Sequence, residues 1–259
     1  MAYSDTPTAE AAAGKRVARR PAVEHGLAMR LAATEYERFG AQLTALTADD
    51  WSKQTECPEW DVRAMASHVL GMAEMSASMR EQVRQMIAAR RRGGLFIDAL
   101  TGLQVSERRE MRPEQVVAEF AKAAPRAARG RRRTPGLMRR RTMPMDQQVG
   151  DGAERWTVGF LTEVVLTRDT WIHRVDIARA VGRDLDLTPD HDGVIVADVV
   201  REWQGRHGQP CTLTLGGAAG GSWFWGQGGP RYELDAVEFC RVASGRAHGE
   251  GLLGTAVPF

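Results

Sequence analysis

The stretch R-D-T-W-I-H-R-V-D, residues 168–176, is the most informative part of this chain. Asp169 and His173 stand at positions i and i+4, so on a helix both side chains leave the same face one turn apart. A carboxylate and an imidazole at that spacing can bind one metal ion from a single helix. Taken alone, an Asp/His pair at this spacing is more often an ordinary polar pair.

The helix that carries this pair is predicted to run from about Trp156 to Val181, with Gly182 as its stop. Apolar residues face nearly every side of it, which is typical of a central, buried helix. Burying Asp169 and His173 in such a helix is costly unless they have a partner, a metal ion or a wet cavity.

A third metal ligand is predicted on an earlier helix. Asp61 is a good N-cap, and the segment from Val62 to roughly Arg92 carries an apolar stripe at spacings of three and four residues. His68 lies on that stripe, where a lone histidine is more often a hydrogen-bonded core residue. Together with Asp169 and His173, however, it completes a set of one carboxylate and two imidazoles. That set suits zinc first, with nickel or iron as alternatives, and three ligands leave a coordination position open.

The rest of the sequence predicts a mainly α protein with an α+β ending. Residues 21–183 are expected to form a four-helix bundle, because further amphipathic segments begin near Pro21 and Pro113. Residues 184–259 are expected to form a small α+β domain, in which glycine-rich turns separate short strands. Residues 1–20 are small, polar and basic, and they predict a disordered arm.

Composition excludes several classes of protein. The chain has 259 residues and a formal net charge of +2. Cys57, Cys211 and Cys240 include no C-x-x-C pair, so a disulfide framework and a thiolate zinc site are both disfavoured. Neither a signal peptide nor a long apolar run is apparent, and a reducing cytoplasm is the expected compartment. Of the 35 basic residues 32 are arginine, which is typical of a GC-rich, for example actinobacterial, genome.

The segment Arg126–Arg141 carries eight arginines and contains none of the predicted metal ligands. It lacks interleaved aromatic residues and any motif that reads bases, so a solvated loop is favoured over a nucleic-acid interface. Recognition of an anionic small molecule is a third interpretation that the sequence leaves open. The remaining histidines lack ligand spacing and are predicted to lie at the surface: His25, His191, His207 and His248.

Two motifs resemble the mycothiol-dependent maleylpyruvate isomerase family. The first is T-E-C-P-E-W-D-V-R-A-M-A-S-H-V-L-G, residues 55–71, in which a tryptophan and V-R precede the histidine. The second places Asp169, His173, Asp176 and Ala178 on the pattern E-x-x-x-H-x-x-D-x-A. The ending E-F-C-R-V-A-S-G-R, residues 238–246, is also similar, so the resemblance spans residues 21–259.

This resemblance implies a DinB-like metal-binding four-helix bundle followed by a small α+β domain. It also implies that His68, Asp169 and His173 hold the metal and that the cosubstrate is mycothiol. The family pattern has Glu where this chain has Asp169, which is one methylene shorter. The helices are therefore expected to approach more closely, or the metal to shift, at this ligand.

The implied reaction is an isomerisation or S-transfer on a small electrophilic substrate, in which the thiol adds to an activated double bond. Such a reaction needs a cation for a substrate carboxylate or enolate oxygen, and Arg246 in the S-G-R turn is the candidate. Asp176 is expected to support His173 or to form a surface ion pair. A binding protein without turnover and a metal-hydroxide hydrolase are the alternative functions. No membrane partner is expected, and a homodimer is among the assemblies left open.

Overall fold

The computed structural model describes residues 18–259, and most of this part of the chain is helical. The longer helices are α1 (His25–Ala45), α2 (Val62–Ala77), α3 (Met79–Arg92), α4 (Phe96–Glu107), α5 (Pro113–Arg132), α8 (Leu166–Val181), α9 (Val194–His207) and α10 (Ala236–Ala243). The short helices are α6 (Gly136–Arg139) and α7 (Val158–Phe160), and the strands are β1 (Gln147–Val149), β2 (Gly152–Glu154), β3 (Cys211–Gly216), β4 (Gly221–Trp225) and β5 (Arg231–Asp235). Within residues 18–259 no helix has both the length and the apolar character needed to cross a membrane.

Helices α1, α2, α5 and α8 form the bundle, with apolar faces turned inward. Phe39 of α1, Met65 of α2 and Phe120 of α5 are fully or almost fully buried in one core. Helix α5 crosses α2 very closely, since a Cβ on Gly130 would lie 2.2 Å from the carbonyl oxygen of Ser76. The predicted fold class, a helical bundle followed by an α+β part, is confirmed.

One local prediction needs correction. The helix predicted from Val62 to Arg92 is in fact two helices, because Ser78 caps α3 by accepting a hydrogen bond from the backbone N–H of Glu81. Helix α5 continues through Pro125, which is exposed. Between α6 and α7, strands β1 and β2 form a short antiparallel hairpin.

The second half of the structure packs directly on the bundle. Strand β3 lies in the centre of a three-stranded sheet, antiparallel to β4 and parallel to β5. The core of this second half includes Trp203 of α9 and Phe239 of α10. The same core continues into Trp171 and Ile172 of α8. Helix α8 therefore contributes to two cores at once, which explains why apolar residues surround it.

Helix α8 follows a helical segment with one irregular turn. Residues Val158–Phe160 are α-helical, Leu161–Val165 form a π-helical turn, and the α-helix resumes at Leu166. The helix ends at Gly182, whose positive φ of 68° suits the left-handed conformation of a C-cap.

Most of the predicted N-terminal arm, residues 1–17, lies outside the described residues. Arg19 is attached to the fold: its backbone N–H donates to the carbonyl of Arg155, and its carbonyl accepts from the N–H of Thr157. Its side chain also pairs with Glu154 at 2.5 Å.

Candidate metal centre

The structure brings together the three side chains that the sequence predicted as metal ligands. His68 projects from α2, and Asp169 and His173 project from successive turns of α8. Asp169 Oδ1 lies 3.6 Å from His68 Nε2 and 3.4 Å from His173 Nε2. The carboxylate of Asp169 thus reaches both imidazoles although it is shorter than glutamate by one methylene.

These separations fit metal ligands better than hydrogen bonds. An N–H···O bond has its heavy atoms about 2.7–3.2 Å apart. By contrast, two ligand atoms at about 2.0–2.2 Å from one tetrahedral ion are separated by about 3.3–3.6 Å. One ligand atom from each of the three residues lies within 4.8 Å of the others. The donor set therefore fits a divalent ion.

The outer nitrogen of each imidazole already has an acceptor. His68 Nδ1 lies 2.8 Å from Gln104 Oε1, and His173 Nδ1 lies 3.1 Å from Asp176 Oδ2. Nδ1–H donation to these oxygens leaves the Nε2 lone pair of each ring facing Asp169. Outer hydrogen bonds of this kind fix the tautomer and orientation of metal-binding histidines. Gln104, on α4, was not predicted, because a neutral amide carries no ligand signature in a sequence.

Charge is concentrated in this cluster. Burial raises the pKa of Asp169, but the adjacent imidazoles of His173 and His68 more than offset burial and hold that pKa below its usual value. Burial lowers the pKa of His173, whereas Asp169 and Asp176 raise it, and the net shift is upward. Without a metal, the protonated form of His173 is therefore favoured beside the two carboxylates.

Arg246, the predicted catalytic cation, lies beside the cluster and is held by Asp176. Its Nε donates to Asp176 Oδ1 at 2.8 Å, and its Nη2 donates to Asp176 Oδ2 at 2.8 Å. Asp176 is fully buried and links Arg246 to His173 Nδ1. The two bonds to Asp176 use Nε and Nη2, so the Nη1 end of the guanidinium remains for another acceptor.

Trp60 covers the two imidazoles. Its ring centroid lies 5.1 Å from that of His68 and 5.9 Å from that of His173. Both histidine side chains are buried, whereas the side chain of Asp169 is 19% exposed. Solvent therefore reaches the cluster at the carboxylate, and Trp60 forms part of its wall.

His191 is not at the surface, so that prediction is wrong. It is buried, and its Nε2 lies 2.7 Å from Glu35 Oε2. Asp192 completes a second His/Glu/Asp group among the described residues, but Arg174 donates to both carboxylates, at 2.7 Å and 2.6 Å. This group is a buried ion network between α1, α8 and the turn before α9. Glu35 and His191 are far apart in the chain, so sequence spacing gave no signal of the pair.

The arginine-rich segment divides between the interior and the surface. Arg131 is buried, where it donates to Thr167 Oγ1 at 2.5 Å and to the carbonyl of Thr162. Arg139 pairs with the buried Glu163 at 2.7 Å. Two of the eight arginines thus tie the segment to the helix leading into α8.

Comparison with known proteins agrees with the predicted resemblance. The model of the mycothiol maleylpyruvate isomerase N-terminal domain family matches residues 32–178, over half of the chain. A crystal structure of the mycothiol-dependent maleylpyruvate isomerase is similar with a TM-score of 0.56 and 15% identity, covering 87% of this chain and 90% of that one. A crystal structure of a histidine-to-alanine mutant of that isomerase gives 0.55 and 14% over the same shares. At such identities the likeness concerns the fold alone.

No curated protein sequence matches the chain. The family match rests on the bundle, and residues 32–178 include His68, Asp169 and His173. The chain therefore belongs to the mycothiol maleylpyruvate isomerase N-terminal domain family.

Proposed function

We propose that this chain is a divalent-metal-dependent enzyme, with zinc as the first candidate ion, and that it uses mycothiol as a thiol cosubstrate. The reaction would be an isomerisation or S-transfer on a small electrophilic substrate. One observation carries the proposal: acceptor atoms of His68, Asp169 and His173 converge, while each Nδ1 already has an acceptor of its own. A divalent ion at such a site lowers the pKa of a coordinated thiol, so that the thiolate is available near neutral pH.

The surrounding residues favour a reactive site over a structural one. Three protein ligands leave a position open, as in catalytic zinc sites. The partly exposed Asp169 gives access from solvent, and the ring of Trp60 limits water over the two imidazoles.

Arg246 is the residue proposed to bind the substrate. Its Nη1 group can donate to a carboxylate or to a developing enolate oxygen, because its Nε and Nη2 groups are engaged by Asp176. Asp176 holds the guanidinium in a fixed orientation, so little side-chain entropy is lost when an anion binds. It also aligns His173, and the anion site and the ligand set are thereby joined through one buried carboxylate.

The thiol is proposed to come from outside the chain. Burial raises the pKa of Cys57, Cys211 and Cys240, so these cysteines are held as neutral thiols. A neutral thiol is a poor nucleophile. Mycothiol and maleylpyruvate are the first compounds to test, because the family and the similar solved structures are named for them.

The proposal is tested by turnover of zinc-loaded protein with mycothiol and maleylpyruvate or a related unsaturated carboxylate, followed by absorbance of the substrate. We expect turnover that requires both metal and thiol. Hydrolysis without thiol would instead indicate a metal-hydroxide hydrolase. Ligand binding without any turnover would indicate a binding protein, and either result would refute the thiol-using enzyme.

A further inference from the structure

A chain of buried amides runs from His68 to the surface of α3. Gln104 of α4 is hydrogen-bonded to His68, and Gln104 Nε2 lies 2.9 Å from Gln85 Oε1. Gln85 Nε2 in turn lies 2.9 Å from Glu81 Oε1 and 3.3 Å from the carbonyl oxygen of Gly71. Gln85 and Gln104 are both 0% exposed, so water does not complete their hydrogen bonds.

The direction of every hydrogen bond in this chain follows from its outer end. The Glu81 carboxylate and the Gly71 carbonyl can only accept hydrogen bonds. The NH₂ group of Gln85 must therefore face them, which turns its oxygen toward Gln104. Flipping Gln85 would put a buried oxygen against two other oxygens and would leave those acceptors unpaired.

The same reasoning fixes Gln104. Its NH₂ group must donate to Gln85 Oε1, and it also lies 3.2 Å and 3.4 Å from the sulfurs of Met72 and Met75, which are weak acceptors. Its oxygen therefore faces His68 Nδ1, and that nitrogen must carry the proton. Two methionines of the apolar stripe thus help to orient an amide in addition to filling the core.

We propose that Glu81, Gln85 and Gln104 are positioning residues that hold neutral His68 in its Nδ1–H tautomer. The Nε2 lone pair of His68 then points at Asp169, where the proposed function places the metal. The relevance of this chain of hydrogen bonds to catalysis therefore rests on that function. His173 is oriented differently, by the carboxylate of Asp176.

Gly71 is part of the same arrangement. A Cβ at this position of α2 would lie 2.5 Å from Gln104 Cγ and 2.8 Å from its Cβ. Contacts that short do not occur, so an alanine here would displace Gln104 from His68. Glycine is less stabilising than alanine inside a helix, but its lack of a side chain leaves the space that the Gln104 side chain occupies.

The test measures the tautomer of His68 in metal-free protein by long-range ¹H–¹⁵N NMR at alkaline pH, with His68 assigned by its loss in His68→Ala. The wild-type ring is expected as the Nδ1–H form. In Gln104→Met and Gln85→Met the Nε2–H form is expected to appear, although Gln85 does not touch His68. Gln82→Met, an exposed position on the same helix, is the control and should leave the tautomer unchanged.

Metal affinity gives a second measurement, by competition with a chelator. Gln104→Met is expected to weaken zinc binding by about 10- to 100-fold, as loss of outer hydrogen bonds to metal ligands does. Wild-type His68 in the Nε2–H form would refute the proposed positioning of His68 by these residues, and this measurement requires no variant. So would an unchanged tautomer in folded Gln104→Met. The tautomer is measured without metal. A protein that shows the Nδ1–H tautomer of His68 but binds no zinc would therefore refute the proposed function and leave the positioning of His68 intact.

Discussion

Replacing Arg174 by Met tests the buried ion network that joins the bundle to the second half of the fold. Arg174 Nε donates to Glu35 Oε1 at 2.7 Å, and its Nη2 donates to Asp192 Oδ1 at 2.6 Å. All three side chains are buried. Met fills a similar volume with apolar atoms, so the substitution removes the charge while largely preserving the packing.

The size of the effect follows from the partners that remain. Asp192 keeps donors from Arg38 and Trp171, whereas Glu35 keeps His191. The uncompensated buried charge is therefore mainly that of Glu35. Breaking a buried pair by removing one partner typically costs about 3–5 kcal/mol, and that is the loss expected in the free energy of unfolding.

The assay is urea unfolding of metal-free protein, followed by far-UV circular dichroism. Arg179→Met on the same helix is the matched control; its pairs with Glu56 and Glu238 are partly exposed, and its loss should stay below about 1 kcal/mol. A double variant, Arg174→Met with Glu35→Leu, should recover much of the loss, since it removes both charges. A single variant as stable as the control, or a double variant no more stable than the single one, would refute this account.

Three further predictions concern packing, pH and catalysis. Gly130→Ala should lower the free energy of unfolding by about 1–3 kcal/mol or more, because its Cβ would meet the Ser76 carbonyl; unchanged urea stability would contradict the close helix crossing. Zinc affinity, measured by competition from pH 5 to 8, should fall on acidification through the raised pKa of His173, because a proton and the metal compete for Nε2; affinity that rises in acid would contradict this. Arg246→Met should keep its zinc yet lose most of its kcat/KM, and full activity would exclude Arg246 from substrate binding.

The helices and the ligand set could be predicted because both depend on short-range patterns. The i, i+4 spacing of Asp169 and His173, and the place of His68 on an apolar stripe, follow from helical periodicity alone. The break between α2 and α3 also had a local signal, since Ser78 and Glu81 form a typical start of a helix. The apolar spacing that continues across both helices predicts one long helix, whereas the capping pattern at Ser78 indicates the break.

The hydrogen-bond partners could not be predicted because they come from distant parts of the chain. Gln104 lies 36 residues from His68, and His191 lies 156 residues from Glu35. Neither a neutral amide nor a single histidine announces its partner in a sequence. The orientation of the candidate ligands therefore became apparent only from the packing of α4 and α8 around α2.

The most direct test of the central claim is the metal content of purified protein after zinc loading and removal of excess ion, measured by elemental analysis. Wild-type protein is expected to hold about one zinc per chain, and His68→Ala and His173→Ala are each expected to lose it. His248→Ala, an exposed position, is the control and should keep it. Retention of stoichiometric zinc in both ligand variants, or no zinc in the wild type, would contradict the assignment of this centre.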